Sequence, residues 1–352
     1  METNGLTQVG GLLKEAFTSS LNGFDDLGAD YTDTPTQDLA SLRKGLFSFV
    51  AQEDNPTVSF NTGNQTNTFY FTGGFTAGVT GSAVTATLTG ITAGTYITVQ
   101  CDAPVKFGFS NISSTGGLGD KFEVYWDGLT DASSIDIKNL GATRPILSSM
   151  DNSFTKLDLR GNSISGDFPD DVTVSDNLYI QGNQFFGELP TFSNSMQRYQ
   201  VNDNKFRGEI PDISSSTSIK SFLVYNQSDD TLDTNRRARE MLTGTIPDLS
   251  GCTQLSFFHV GAGPSWASGF RNRLSIASDF DVPVSLSKFF ASNCNITTEG
   301  VDKILLKFSQ ASTTSPNIID LSGTNGYPTE AGLGYRDTLV AAGWTVKLPA
   351  IR

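Results

Sequence analysis

The sequence has one histidine, His259, and three cysteines, Cys101, Cys252 and Cys294. A single histidine excludes a histidine-rich metal site and any pair of catalytic imidazoles. The cysteines are odd in number and far apart, and no CxxC pair exists. Neither a zinc knuckle nor a redox dithiol is supported. They read as buried small hydrophobes, with a Cys252–Cys294 bridge as the open alternative. Charge is also scarce: Asp, Glu, Lys and Arg make up 17% of 352 residues. With 24 basic and 37 acidic residues the net charge is −13, so nothing electrostatic favours nucleic acid or an anionic membrane. No apolar run reaches roughly 18 residues, so no membrane-inserted helix is expected. The opening segment METNGLTQVGGLLKEAFTSS lacks a basic region and an apolar core and does not read as a secretory signal. The sequons at Asn64, Asn111, Asn226 and Asn295 therefore carry no implication of glycosylation.

What is present is glycine and phenylalanine, 35 and 25 residues. That many phenylalanines argues against disorder over the whole chain. A surface of Gly, Ser, Thr and Asn with little charge reads as β-rich, loop-rich material of the extracellular or virion kind. The chain is longer than one ordinary core covers, so two domains or one elongated repeat body are expected.

Residues 1–50 form the first segment. Leu12–Phe17 and Asp38–Leu46 read as short amphipathic helices around an acidic loop, Asp25 to Asp33, too small to hold a core and suited to attachment. Residues 51–128 change to short alternating runs at 58–60, 68–71, 84–88, 96–99 and 122–126, separated by Gly, Asn and Ser turns. They predict a small antiparallel β-sandwich or barrel.

From residue 129 to 352 the signal is a repeat. Leu157-Asp158-Leu159 leads to Asn162, Gly166 and Pro169; Leu178-Tyr179-Ile180 to Asn183, Gly187 and Pro190; Tyr199-Gln200-Val201 to Asn204, Gly208 and Pro211. The asparagines recur at a constant interval, 183 − 162 = 204 − 183 = 21. Two apolar residues at alternate positions make a short strand with one buried face. The asparagine turns inward to bond backbone groups left unpaired by the bend. The glycine permits a tight turn and the proline stiffens the return. Ile135–Ile137 is a degenerate first strand with Leu140 at the asparagine position. Phe222–Val224 is a later strand with Gln227 there, followed by an insertion carrying Asp229-Asp230 and Arg236-Arg237. Phe258–Val260 is another strand, and 264–284 reads as irregular. Phe289–Ala291 leads to Cys294. Helices are expected over 298–308 and 327–342, with Ile319–Leu321 and Gly343–Leu348 completing the body.

The three complete units resemble leucine-rich repeats of the plant type, L-x-L-x-x-N-x-[LIF]-x-G-x-[IFL]-P; around Cys294 the pattern resembles the cysteine type. The resemblance implies a β-rich, mixed α/β chain: helical N-terminus, β-sandwich, then a leucine-rich repeat solenoid with two C-terminal helices. The final segment, from Ile319-Asp320-Leu321-Ser322-Gly323-Thr324-Asn325 through Leu333 and Leu339 to Trp344-Thr345-Val346, resembles the ends of repeat-containing bacteriophage structural proteins. That likeness implies a virion protein, assembled in the host cytoplasm and exposed on the particle. Residues 1–50 and the β domain would contact other virion proteins, with homo-oligomerisation in the particle.

In such a repeat the strand residues between the buried ones form columns on the open face. The candidate ligand-binding residues are Asp158, Tyr179, Gln181, Arg198, Gln200, Leu223, Tyr225 and His259. Their mixture of rings, amides and charges suits a host-surface glycan or protein; the plain alternative is a solvated sheet face. Asn162, Asn183 and Asn204 form the structural ladder. No catalytic residue, metal or cofactor is expected: His259 has no nucleophile partner, and acid pairs such as Asp170-Asp171 read as solvated loops rather than glycosidase acids. The leading expectation is host recognition by a non-enzymatic tail or surface component. A purely structural decoration or fibre protein comes second and a glycan-degrading enzyme third.

Overall fold

The computed structural model describes residues 44–61, 69–71, 83–101, 110–118, 122–124, 134–137, 153–227, 240–261, 271–311 and 317–351. All belong to one compact unit, Arg43–Arg352. The expected helix at 12–17, the acidic loop, Leu140 and the insertion after Gln227 lie outside the described residues.

The helix expected over Asp38–Leu46 is not what the described residues from 44 onward form. Lys44–Val50 is a strand, β1, rather than the end of a helix. It lies inside a four-stranded antiparallel sheet with β3 (Phe69–Phe71), β5 (Tyr96–Cys101) and β7 (Glu123–Val124), in the order β3-β5-β1-β7. Leu46, Phe47, Ser48 and Phe49 are all buried. A strand covered on both faces shows no alternation, so its local pattern was indistinguishable from a helix. A second antiparallel sheet contains β4 (Ala83–Thr87), β2 (Thr57–Asn61) and β6 (Ser110–Ser114). The two sheets meet through rings: Phe60 lies 5.3 Å from Phe47 and 5.2 Å from Phe69, both edge to face.

The remainder is organised by a nine-stranded parallel sheet. Its strands are β8 (Ser134–Asp136), β9 (Ser153–Asp158), β11 (Thr173–Tyr179), β13 (Arg198–Gln200), β15 (Ser221–Leu223), β17 (Phe257–His259), β19 (Lys288–Phe290), β20 (Ile318–Asp320) and β21 (Thr345–Lys347). Equivalent residues pair side by side, as in Leu178↔Tyr199, Tyr199↔Phe222, Phe222↔Phe258 and Phe258↔Phe289. In-register pairing stacks like on like. Tyr199, Phe222, Phe258 and Phe289 lie 5.3–5.4 Å apart with ring planes within 8–13° of parallel. That interval is set by the spacing of neighbouring strands, about 4.8 Å. At the far end Phe289 meets Phe308, which meets Trp344.

Helix α1 (Thr298–Gln310) begins where Thr297 accepts a hydrogen bond from the Gly300 N–H. It buries Val301, Ile304, Leu305 and Phe308, one face at helical spacing. Helix α2 (Glu330–Ala341) begins in the same way at Thr329 and Gly332.

A second parallel sheet was not anticipated. The segments read as glycine bends and stiffened returns, together with part of the stretch read as irregular, are strands: β10 (Ser165–Asp167), β12 (Gln184–Glu188), β14 (Lys205–Glu209), β16 (Glu240–Ile246) and β18 (Arg271–Ile276). Glycine inside a strand argues locally against one. Here it is required, because φ is +88° at Gly187 and an added Cβ would lie 2.5 Å from the Asp167 carboxylate.

Between the sheets runs a ladder of side-chain amides. Asn183 Nδ2 donates to Ile180 O of its own repeat and Leu159 O of the preceding one, and its Oδ1 accepts from Ile164 N. Asn204 repeats this on Val201 O, Ile180 O and Phe185 N. Gln227 continues it on Val224 O, Val201 O and Phe206 N. Asn162 serves Leu159 O and Ile137 O. Beyond the 262–270 segment Asn272 takes the role, donating to Val260 O and accepting from Leu242 N. Cys294 Sγ also reaches Val260 O, and Asn325 closes the series on Leu321 O and Ala291 O. No disulfide forms: the three cysteines are free and buried, and desolvation pushes the Cys252 thiol up to about 11.

Two stability predictions follow from this packing. Asn183→Ala strands buried carbonyls in two repeats and should cost about 1–3 kcal/mol. Phe222→Ala opens the ring stack and should cost about 3–5 kcal/mol. Urea denaturation measures both; a silent Asn183→Ala would remove the ladder's structural role.

Candidate recognition surface

Core residues of the nine-stranded sheet alternate with residues on its opposite, open face. The first column of that face includes Lys156, Asn177, Arg198, Ser221, Phe257, Lys288 and Ile318. The middle column includes Asp136, Asp158, Tyr179, Gln200, Leu223, His259, Phe290 and Asp320. Gln181, Asn202, Tyr225 and Gly261 lie two residues beyond the middle column, just after β11, β13, β15 and β17.

The face divides into two halves. In the first, charges neutralise one another. Asp158, expected to face solvent, is fully buried. Arg160 folds over it as a two-pronged partner, with Nε–Oδ1 at 2.9 Å and Nη2–Oδ2 at 2.5 Å, and Lys156 adds a contact at 3.7 Å. This pairing raises the Arg160 pKa, chiefly through its hydrogen bond to Asp158. Tyr179, also expected to be exposed, is 8% exposed. Arg160 lies over its ring at 4.8 Å, and its hydroxyl accepts from Arg198 Nη1 at 3.0 Å. Gln181, Gln200 and Ser221 run across three strands as a chain of side-chain hydrogen bonds. Asp158 and Tyr179 are thus framework of this face rather than accessible contact groups.

The second half is aromatic. His259 stacks on Tyr225 at 3.9 Å and 17°, and Phe290 lies 5.0 Å away at 40°. Tyr225 follows β15 and Phe290 belongs to β19, on opposite sides of β17, so the imidazole is flanked by rings. Phe257 contacts both His259 and Phe290. Leu223, 8% exposed, is the apolar middle-column neighbour of His259. Gly261 keeps this end flat: a Cβ there would lie 2.7 Å from Ser292 N.

The sequence-predicted residues therefore fall into two groups. Asp158, Tyr179, Gln181, Arg198 and Gln200 sit in the polar half, and Leu223, Tyr225 and His259 in the aromatic half. Phe257, Lys288 and Phe290 belong to the columns of this face and are not among the sequence-predicted residues. The same alternation, Lys288-Phe289-Phe290-Ala291, would have extended them.

No family model matches the chain, and no curated protein matches it. Among solved structures, it is similar to the plant peptide hormone receptor RGFR1 in complex with RGF2, at 20% identity and a TM-score of 0.42. The match covers 64% of this chain and 34% of the receptor chain, so the chain spans about a third of that protein. The fold is leucine-rich-repeat-like in the features already described: parallel strands, in-register apolar columns and an asparagine ladder.

Burial lowers the His259 pKa from its ordinary 6.5 to about 4, partly opposed by Asp320. A depressed folded pKa means that the neutral ring contributes its stability in full above pH 6.5 and loses it as pH falls towards 4. His259 is the only histidine, so its NMR signals are unambiguous. The expected imidazole midpoint is near pH 4; a midpoint at 6–7 would contradict the flanked, desolvated ring. His259→Phe should flatten that part of the pH dependence, at most roughly 3 kcal/mol.

Proposed function

We propose that the chain is a non-enzymatic virion component, exposed on the tail or surface of a bacteriophage, whose open sheet face recognises the host surface. The observation that carries this reading is the cluster Leu223, Tyr225, Phe257, His259 and Phe290, set on the outer face of a sheet whose other half is polar. Apolar rings facing outward from a strand column have no role in the repeat core, which has its own stack on the opposite face. Such clusters mark contact surfaces. The ring-flanked imidazole, depressed to about 4, is no general base for neutral pH, which favours binding over catalysis.

The segment before β1 would dock the chain on the particle, as its sequence suggests. A decoration or fibre role would instead turn the same sheet face against neighbouring subunits. Electron microscopy of particles distinguishes the two by the direction the face points.

The recognition reading makes a quantitative prediction. Phage carrying Phe257→Ala with Tyr225→Ala should assemble normally and adsorb at least ten times more slowly, because truncating a central aromatic pair typically costs over 1 kcal/mol per residue. Variants at Asp170 and Asp171, exposed and away from the face, should adsorb as the parent does. Normal adsorption by the double variant would refute recognition through this face.

A further inference from the structure

The aromatic cluster is constrained in a way that selects its ligand. Neighbouring strands hold the Tyr225 and His259 rings face to face, with Phe290 on the far side of the imidazole. Ring faces covered by other rings leave edges towards solvent. Sugars pack on aromatic faces; ring edges carry the positive part of the quadrupole and attract electron-rich groups and the faces of other rings. The cluster is a poor platform for a pyranose and a good seat for an aromatic or apolar side chain.

The charges beside it point the same way. Arg198 and Lys288 are exposed in the first column, three strands apart, which is about 14 Å at the usual strand spacing. Arg198 bonds the Tyr179 hydroxyl, and Lys288 lies 5.4 Å from the Phe257 ring. Among the described residues, neither has a carboxylate partner. By contrast Asp158 is held by Arg160 and Lys156, Asp136 by Lys156, and Asp320 by Lys347. In a chain of net charge −13, the charges of the first and middle columns that have no ionic partner among the described residues are both positive and bracket the apolar centre.

We propose that this half of the face is a subsite for an acidic protein segment, with an aromatic or apolar side chain seated on Leu223, Tyr225, Phe257 and Phe290 and carboxylates on Arg198 and Lys288. The inference rests on the open sheet face being the recognition surface, and it specifies the chemistry that surface selects.

The test uses the full chain and three polymers: a random copolymer of glutamate and tyrosine, its lysine–tyrosine counterpart, and polygalacturonate as an acidic glycan. The glutamate–tyrosine copolymer should bind, more weakly as salt rises, and the other two at least tenfold less tightly. Arg198→Glu with Lys288→Glu, both at exposed positions, should reduce its binding at least tenfold. Phe257→Leu should reduce it less, and Arg207→Glu, exposed on β14, should leave it unchanged. Polygalacturonate binding as tightly as the copolymer, or an equal loss with Arg207→Glu, would overturn the proposal. Host adsorption of particles carrying the double charge reversal separates the two levels. Lost adsorption without copolymer binding overturns the acidic-segment ligand and leaves the face standing; unchanged adsorption counts against the face itself.

Discussion

The repeat body depends on one obligation: backbone carbonyls buried at each bend need donors. The carbonyls that turn inward at Leu159, Ile180 and Val201 are bonded by side-chain amides rather than by a neighbouring strand. A side-chain amide meets that need because it offers two N–H donors and one acceptor from a single position. Asn183 and Asn204 each bond carbonyl oxygens in their own repeat and in the repeat before, so the amide joins neighbouring turns as well as satisfying its own. The same requirement is met by Gln227, whose longer side chain reaches equivalent groups, and by Asn272. The geometry of the amide is kept even where the spacing is not.

This constraint sets the register, and the register sets the surface. Because each repeat is pinned to its neighbour at the same place, like residues align across strands. On the inner side that alignment builds the Tyr199–Phe222–Phe258–Phe289 stack. On the outer side it builds two-residue-deep columns in which side chains touch across strands rather than along them. The outer face is therefore largely self-satisfied. Ion pairs and amides neutralise one half, and aromatic rings cover one another's faces in the other. In the proposed reading, what is left for a partner is a strip of ring edges between Arg198 and Lys288.

Much of this was legible in the sequence, and the exceptions have physical reasons. The recurrence of Asn162, Asn183 and Asn204 located three repeats and their inward side chains, and the alternation around Phe289 and Ile319 located later strands. The second parallel sheet was hidden because its strands contain left-handed glycines, which local preference assigns to turns. β1 was hidden because burial on both faces removes alternation. Asn272 was hidden by the residues between it and Val260, which break the count. The burial of Asp158 and Tyr179 depended on Arg160, whose position over both is a matter of three-dimensional packing.

The proposed recognition role requires that the open face of the nine-stranded sheet meet the host. Hydroxyl-radical footprinting of virions, free and attached to host envelopes, measures this directly. Protection on attachment is expected at Tyr225, Phe257 and Phe290, with Phe186 on β12 labelled equally in both states. Protection at Phe186 with none at the three ring positions would place the contact on the other sheet and contradict recognition through this face.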